Sequence, residues 1–310
     1  MIRIELQIDL RYEIDEYGAD FIFNIHAAHT PAQVVCSEQL TLSQPIATRL
    51  DTDPATRNRY LRLRALPGTL ALRYLATVQL THQFLEPAQL PEVPVGRLPP
   101  EVIGYIYPSR YCQSDRLIRL ATHQFGALFT GHSRVMAIQD WVRRQVRFTS
   151  NTTNSSTSAV DTVIEQQGVC RDFAHLMIAL CRAVNIPARF ATGTDYGADP
   201  VLGPPDFHAY VEVYIGGRWV IFDPSGTAIP MGFVRLGTGR DAADVAVATI
   251  FGNVQSAPPL IRTTILHDLP GCVMPAHSTQ ALSTDAGPPP LQAQPLAPLA
   301  PYQPLAPLAP

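Results

Sequence analysis

From Ile2 to Ile14 every second residue is apolar: Ile2, Ile4, Leu6, Ile8, Leu10, Tyr12 and Ile14 alternate with Arg3, Glu5, Gln7, Asp9, Arg11 and Glu13. A period of two is that of a strand with one buried face. The alternation returns at Leu70, Leu72, Tyr74, Ala76, Val78 and Leu80. Shorter strand candidates between them (Phe21 to Ile25, Gln33 to Cys36, Tyr60 to Ala65) are separated by Gly18, Pro31, Pro54 and Pro67-Gly68. No amphipathic helix interrupts this region. The pattern predicts an antiparallel β-sandwich over residues 1–90.

Prolines 87, 91, 94, 99 and 100 then mark a semi-rigid linker over residues 91–100. After it the period becomes helical. Ser114-Asp115 is placed to cap a helix carrying Leu117, Ile118, Ala121 and Phe125, and Ser133 one carrying Val135, Ile138, Val142 and Val146. Thr149 to Ser158 is Ser, Thr and Asn, a loop. A short helix over Val160 to Ile164 stops near Gly168, and an apolar helix follows to Asn185-Ile186-Pro187. Strand signals resume at Arg189 to Thr192 and across Phe207 to Asp223. A short helix near Ala242 to Ala246 and a strand at Leu260 to Leu266 complete a second domain, residues 101–272. Residues 273–310, dominated at the end by Pro, Leu, Ala and Gln, read as a disordered or polyproline II tail.

The chain has 310 residues, 46% of them hydrophobic and 16% charged, so it has enough apolar material for a sizeable core. A net charge of −3 gives no basic footprint for nucleic acid. Every one of the 23 basic residues is arginine, which excludes lysine Schiff bases and a Walker lysine. No apolar stretch approaches the ~20 residues that span a bilayer, and residues 1–14 lack a signal-peptide core. Five cysteines (Cys36, Cys112, Cys170, Cys181, Cys272) with no CxxC pair suit free thiols in a reducing compartment, and the cytoplasm is the expected location.

Cys170 carries the chemistry. It lies between Gly168-Val169 and the apolar run from Phe173. A thiol at a helix N-terminus faces unpaired N–H groups and the positive end of the helix dipole, both of which favour thiolate. Downstream, a two-residue turn at Gly216-Gly217 pairs Ile215 with Arg218 and sets Asp223 opposite Tyr210. His208, Tyr210 and Asp223 then share one face, with His208 and Asp223 diagonal neighbours ~7 Å apart at the backbone. Val211, Val213, Val220 and Phe222 take the other face. A one-residue slip would separate His208 from Asp223. Cysteine, histidine and carboxylate so arranged are a nucleophile, its base and the base's orienter.

Other residues have plainer readings. Cys36, Cys181 and Cys272 are small hydrophobes, and Cys112 is structural. His175, five residues beyond Cys170, is turned about 140° from it and ~7.5 Å along the helix, too far for proton transfer. Asp172 braces the first turn. No HxxxH or CxxC spacing, calcium loop or glycine-rich phosphate loop is present, so neither metal nor cofactor is expected.

These motifs resemble the transglutaminase-like superfamily of papain-fold thiol enzymes, in its bacterial members. Gly168-Val169-Cys170-Arg171-Asp172-Phe173-Ala174-His175-Leu176 is similar to the nucleophile motif. Ile186-Pro187-Ala188-Arg189 matches the turn and strand after its helix. His208-Ala209-Tyr210 resembles His-Ala-Trp, with tyrosine for tryptophan, and Asp223-Pro224-Ser225-Gly226 resembles Asp-Pro-Thr-Asn. Gly239 to Val245 is similar to a segment after the core. The resemblance covers roughly residues 100 to 270 and implies an α+β architecture: the sandwich, then a papain-like core of helices on an antiparallel sheet. It implies Cys170 as nucleophile, His208 as base and Asp223 as orienter.

The expected activity is acyl transfer from a protein or peptide amide through a thioester on Cys170, resolved by water. The rivals are amine transfer of the crosslinking type and a non-catalytic scaffold that binds partners. The Cys170 amide is the expected oxyanion donor; Gln166, Gln167 and the Ser/Thr loop are candidates for a second. Substrate choice is expected in the Asp195 to Asp206 loop. No nucleic acid or membrane partner is expected, and the oligomeric state is left open.

Overall fold

A computed structural model describes residues 1–194, 196, 197 and 206–284. The chain runs through β1 (Ile2–Ile14), β2 (Ala19–Phe23), β3 (Gln33–Leu42), β4 (Thr48–Thr52), β5 (Arg59–Ala65), β6 (Gly68–Leu80) and β7 (Gln83–Leu85). Next come α1 (Pro100–Ile103), α2 (Ser114–Phe125), α3 (His132–Gln145), β8 (Arg147–Phe148), α4 (Ala159–Glu165), β9 (Gln167–Gly168) and α5 (Cys170–Ala183). The remaining strands are β10 (Ala188–Thr194), β11 (His208–Ile215), β12 (Arg218–Phe222), β13 (Val234–Gly239), β14 (Ala248–Phe251), β15 (Val254–Ser256), β16 (Leu260–Ile265) and β17 (Ala281–Ser283). The fold is α+β, as the resemblance implied.

β1 and β6 pair antiparallel along their whole length, Ile2 opposite Leu80 and Ile14 opposite Gly68. The alternating apolar residues of both are buried against Phe21, Phe23, Leu61 and Leu63 of the second sheet, ordered β14-β2-β5-β4. This is the expected sandwich. β4, with no alternating apolar face, gave no signal; its residues are mostly exposed and it pairs with β5 at the sheet edge.

The expected boundaries at 90 and 272 need correction. β15 and β16 return from the C-terminal part of the chain to pair with β1, and β14 returns to pair with β2. An open edge of a long strand exposes unpaired backbone groups, and the returning strands close it. Conversely β7, from the first 90 residues, joins the second domain's sheet, ordered β13-β10-β11-β12-β17-β7. The segment after 272 is ordered as far as it is described: β17 is buried between β12 and β7, and the Ser283 hydroxyl donates to the Trp219 carbonyl at 2.7 Å. The proline-rich repeat lies outside the described residues.

Two helix caps and one helix also differ from expectation. Ser114 is buried inside the first turn of α2, and Ser133 directs its hydroxyl to the Phe129 carbonyl. In place of a helix at Ala242 to Ala246 there is a turn, in which Asp241 accepts from the Ala243 amide and Asp244 from the Arg240 amide. Aspartates that bind nearby backbone offer it an alternative to helix.

α5 is the central helix. Phe173, Leu176, Met177 and Leu180 are fully buried with Val211, Val213, Val220 and Phe222 of the sheet and with α2 and α3. No described helix is long and apolar enough to cross a membrane.

Candidate active site

The N-terminus of α5 is locked in place from both sides. The buried Asp172 carboxylate accepts from the Val169 amide at 2.9 Å, satisfying a donor that precedes the helix. Gly168 is required by contact: a Cβ there would meet Asp172 Cβ at 2.8 Å and Oδ2 at 2.9 Å. Arg171 donates to Asp172 and reaches the Asn154 carbonyl at 2.8 Å, tying the Ser/Thr/Asn loop to the helix start. β8 and β9 pair in parallel beside it.

The hairpin forms in the expected register. Gly216 and Gly217 have φ of 60° and 77°, the left-handed conformation that a two-residue turn needs, and Ile215 pairs with Arg218 through to Val211 with Phe222. Val211, Val213, Val220 and Phe222 face α5. His208 is the first residue of β11, at the lip of the sheet where the start of α5 arrives. Cys170 Sγ lies 3.9 Å from the Phe207 carbonyl oxygen, one residue before it.

His208 is buried, with Nε2 3.4 Å from Asp223 Oδ1, and the Cys170 side chain is close enough to interact with it. Burial pushes the imidazole towards its neutral form. The charge on the Cys170 sulfur, the hydrogen bonds to Asp223 and Cys170, and the Asp223 charge outweigh that, and the pKa stands well above the ordinary histidine value. Asp223 is pushed up by burial, but the His208, Ser225 and Ala228 hydrogen bonds prevail and hold it below the usual carboxylate value. Tyr210, fully buried, sets its ring edge-on to His208 at 4.5 Å, backed by Phe233 at 3.7 Å.

The three residues singled out from sequence are thus brought together. His175 is elsewhere: its ring stacks on Tyr111 at 5.0 Å, and Nε2 accepts the Ala242 amide at 3.2 Å. Burial and the nearby Arg171 and Arg182 hold it well below the ordinary histidine value. Cys112 and Cys181 are buried thiols pushed upward by burial, Cys112 to about 12. Of the Asp195 to Asp206 loop only residues 196, 197 and 206 are described. Among the described residues no group of His, Cys, Asp and Glu is placed to hold a metal ion.

The oxyanion donor expected from the Cys170 amide fits its place at the first position of α5, where a helix has no internal acceptor. The Gln166 amide is already paired with Thr162, and that of Thr149 with Gly168. Sequence reasoning missed the groups that hold Asp223: the Ser225 hydroxyl, the Ala228 amide, and Arg143 of α3, which donates to the Asp223 carbonyl at 2.9 Å. The Asp-Pro-Ser turn was the available signal, since aspartate and serine side chains bind backbone two residues on. A cavity of about 430 Å³ opens beside Asp223, between α3 and residues 277–282, but neither Cys170 nor His208 lines it.

Comparison with known proteins agrees with this fold. Residues 119–224 match the transglutaminase-like superfamily, and residues 2–101 match the N-terminal domain of bacterial transglutaminases. A crystallised protein of Cytophaga hutchinsonii described as a "Putative Cysteine Protease" is 42% identical, with a TM-score of 0.83 over 91% of this chain and 97% of that one. An uncharacterised protein of Mycobacterium leprae is 32% identical over 116 residues, 36% of this chain and 42% of that protein. One of Mycobacterium tuberculosis is 34% identical over 109 residues, 32% of this chain and 35% of that protein. The chain therefore matches well under half the length of these mycobacterial relatives. With both family matches in sequence and one near-full-length structural likeness, the chain belongs to the transglutaminase-like superfamily.

Proposed function

We propose that the protein is a cysteine-dependent acyl-transfer enzyme that hydrolyses amide bonds of a protein or peptide through a Cys170-His208-Asp223 triad. The observation that carries this reading is the buried His208 ring, flanked by the Cys170 sulfur and the Asp223 carboxylate. Superfamily membership and the likeness to the Cytophaga protein support a thiol-dependent enzyme.

In the proposed reaction the Cys170 thiolate attacks the amide carbonyl carbon, and the carbonyl oxygen gathers charge facing the Cys170 N–H. The tetrahedral intermediate collapses as the C–N bond breaks and the His208 imidazolium gives its proton to the departing amine. The thioester is then attacked by water, whose proton passes to His208, and Cys170 leaves as thiolate. Asp223 holds the ring with Nε2 towards itself, which leaves Nδ1 for the sulfur. All five cysteines are free, which supports action in a reducing compartment such as the cytoplasm.

The test is to trap the acyl-enzyme from lysate by mass spectrometry. An acyl adduct on Cys170 of wild type that is lost in His208→Ala is the expected result. An adduct of equal yield in both, or one on another cysteine, overturns the triad. Incubating a trapped donor peptide with a fluorescent primary amine separates the acceptors: free acid as the dominant product supports hydrolysis, and amine incorporation would replace it with transfer.

A further inference from the structure

Asp223 Oδ1 serves more than one donor. The Ser225 hydroxyl lies 2.6 Å from it and the Ser225 amide 3.1 Å, while His208 Nε2 stands at 3.4 Å. The other oxygen, Oδ2, accepts the Ala228 amide at 3.1 Å. An ionised carboxylate only accepts, so the Ser225 hydroxyl must be the donor in its bond. Thr227 Oγ1 lies 2.9 Å from Ser225 Oγ and is then the donor to serine. A hydroxyl that accepts one bond donates more strongly in the next. At 3.4 Å the imidazole contact is long for a hydrogen bond, whereas 2.6 Å is at the short end for a hydroxyl on a carboxylate.

We infer that Ser225 is a positioning residue that competes with His208 for Asp223 Oδ1, and so sets how tightly the carboxylate holds the imidazole. Two backbone amides fix the carboxylate in the turn whichever side chain stands at 225. The serine hydroxyl is the adjustable member. It draws the oxygen's charge away from the ring and keeps the imidazole free to swing between Cys170 and the leaving group. The inference rests on the proposed triad.

Competition and simple support differ in sign. If Ser225 only braced Asp223, removing its hydroxyl would loosen the carboxylate and weaken the imidazolium. If it competes, removal strengthens the Asp223–His208 bond. The groups that bear on the ring are Cys170 from α5, Asp223 at the end of β12 and Tyr210 on its own strand. The experiment is a pH titration of the His208 ring nitrogens by NMR in the full chain, with His208 assigned through His208→Gln. Ser225→Ala is expected to move the His208 midpoint upward and the Nε2 proton downfield, and Ser225→Thr to restore both. A midpoint that falls or stays, or a threonine variant that behaves like alanine, overturns the inference. Should Ser225→Ala not fold, Thr227→Val is read by the same rule: a smaller upward shift supports, none or a fall overturns. Cys170→Ser in the wild-type background tests the triad separately. If His208 does not respond to it, the functional reading fails while the Ser225 competition still stands or falls on its own variants.

Discussion

Gln33 of β3 meets Arg235 of β13 as a neighbouring strand would: its Nε2 donates to the Arg235 carbonyl at 2.8 Å, and its Oε1 accepts the Arg235 amide at 2.9 Å. Asn58 does the same for Thr238, at 2.8 and 2.9 Å. β13 is an edge strand, and two buried side-chain amides from the sandwich cover that edge. Phe233, just before β13, packs on Tyr210, which packs on His208. The sandwich therefore supports the wall behind the imidazole. Gln33→Ala should cost roughly 1–3 kcal/mol, because it removes the acceptor of the part-buried Arg235 N–H, while the Arg235 carbonyl keeps the Ala28 amide at 2.9 Å. Urea unfolding measures this; a loss under about 0.5 kcal/mol would mean that the edge does not need the amide.

His208 stands well above its ordinary value, so its charged form persists beyond the pH at which a free histidine loses its proton. The sign follows directly. The proposed step needs imidazolium, so acyl-enzyme formation holds beyond the usual histidine range and declines as pH rises through the folded-state value. The stability that the pair confers is full below ~6.5 and is lost over the same rise. Asp223→Asn removes both Asp223 contributions, so the alkaline limb should shift to lower pH with a rate loss of roughly 10²–10⁴-fold. An unmoved limb in that variant would assign the ionisation to another group.

Glu212 of β11 is fully buried between Arg189 and Arg235, each within 2.7 Å, and Thr284 adds a third donor. Burial raises its pKa, but the two arginines prevail and lower it to about 2. A depressed carboxylate stabilises the fold fully above ~4.5 and progressively loses that contribution down to about 2, an effect of about 3 kcal/mol. Acid unfolding of wild type should steepen in this window. Glu212→Gln should be less stable at pH 7 and show a flatter acid limb; equal slopes would remove Glu212 from the acid response.

Gly168→Ala places a methyl within 2.9 Å of the Asp172 carboxylate that pins the start of α5. Asp172 is fully buried and cannot yield without breaking its bond to Val169. The cost should be roughly 1–3 kcal/mol of stability, and Cys170 alkylation at pH 7 should slow at least several-fold. Unchanged labelling would show that Cys170 tolerates a shifted helix start.

Much of the fold was legible because its periods are clean. β1 and β6 each bury one face, and Gly216-Gly217 fixed the register that sets His208 and Asp223 on one side. The place of Cys170 at a helix start was legible because a cysteine follows a glycine turn and precedes an apolar helix. What escaped were relations with no local signature. Pairing of β16 with β1 joins residues some 250 positions apart, and nothing in either segment names the other. β4 carries a single apolar residue, the exposed Leu50, and the 242–246 segment reads as helix until Asp241 and Asp244 turn back on their own backbone. Ser225 was quoted as a motif position, but its bond to Asp223 depends on the turn's shape.

The return of β14, β15 and β16 to the sandwich bears on how the protein is made. A nascent chain that has emerged only as far as Asp223 holds Cys170, His208 and Asp223, yet the outer edges of β1 and β2 still have no neighbours. β14 covers β2 once Phe251 is made, but the outer edge of β1 remains open to stray pairing with other chains until Ile265 is synthesised. Premature termination between those points should yield aggregates rather than a folded, soluble fragment, so strand order delays competence until the returning strands have been made.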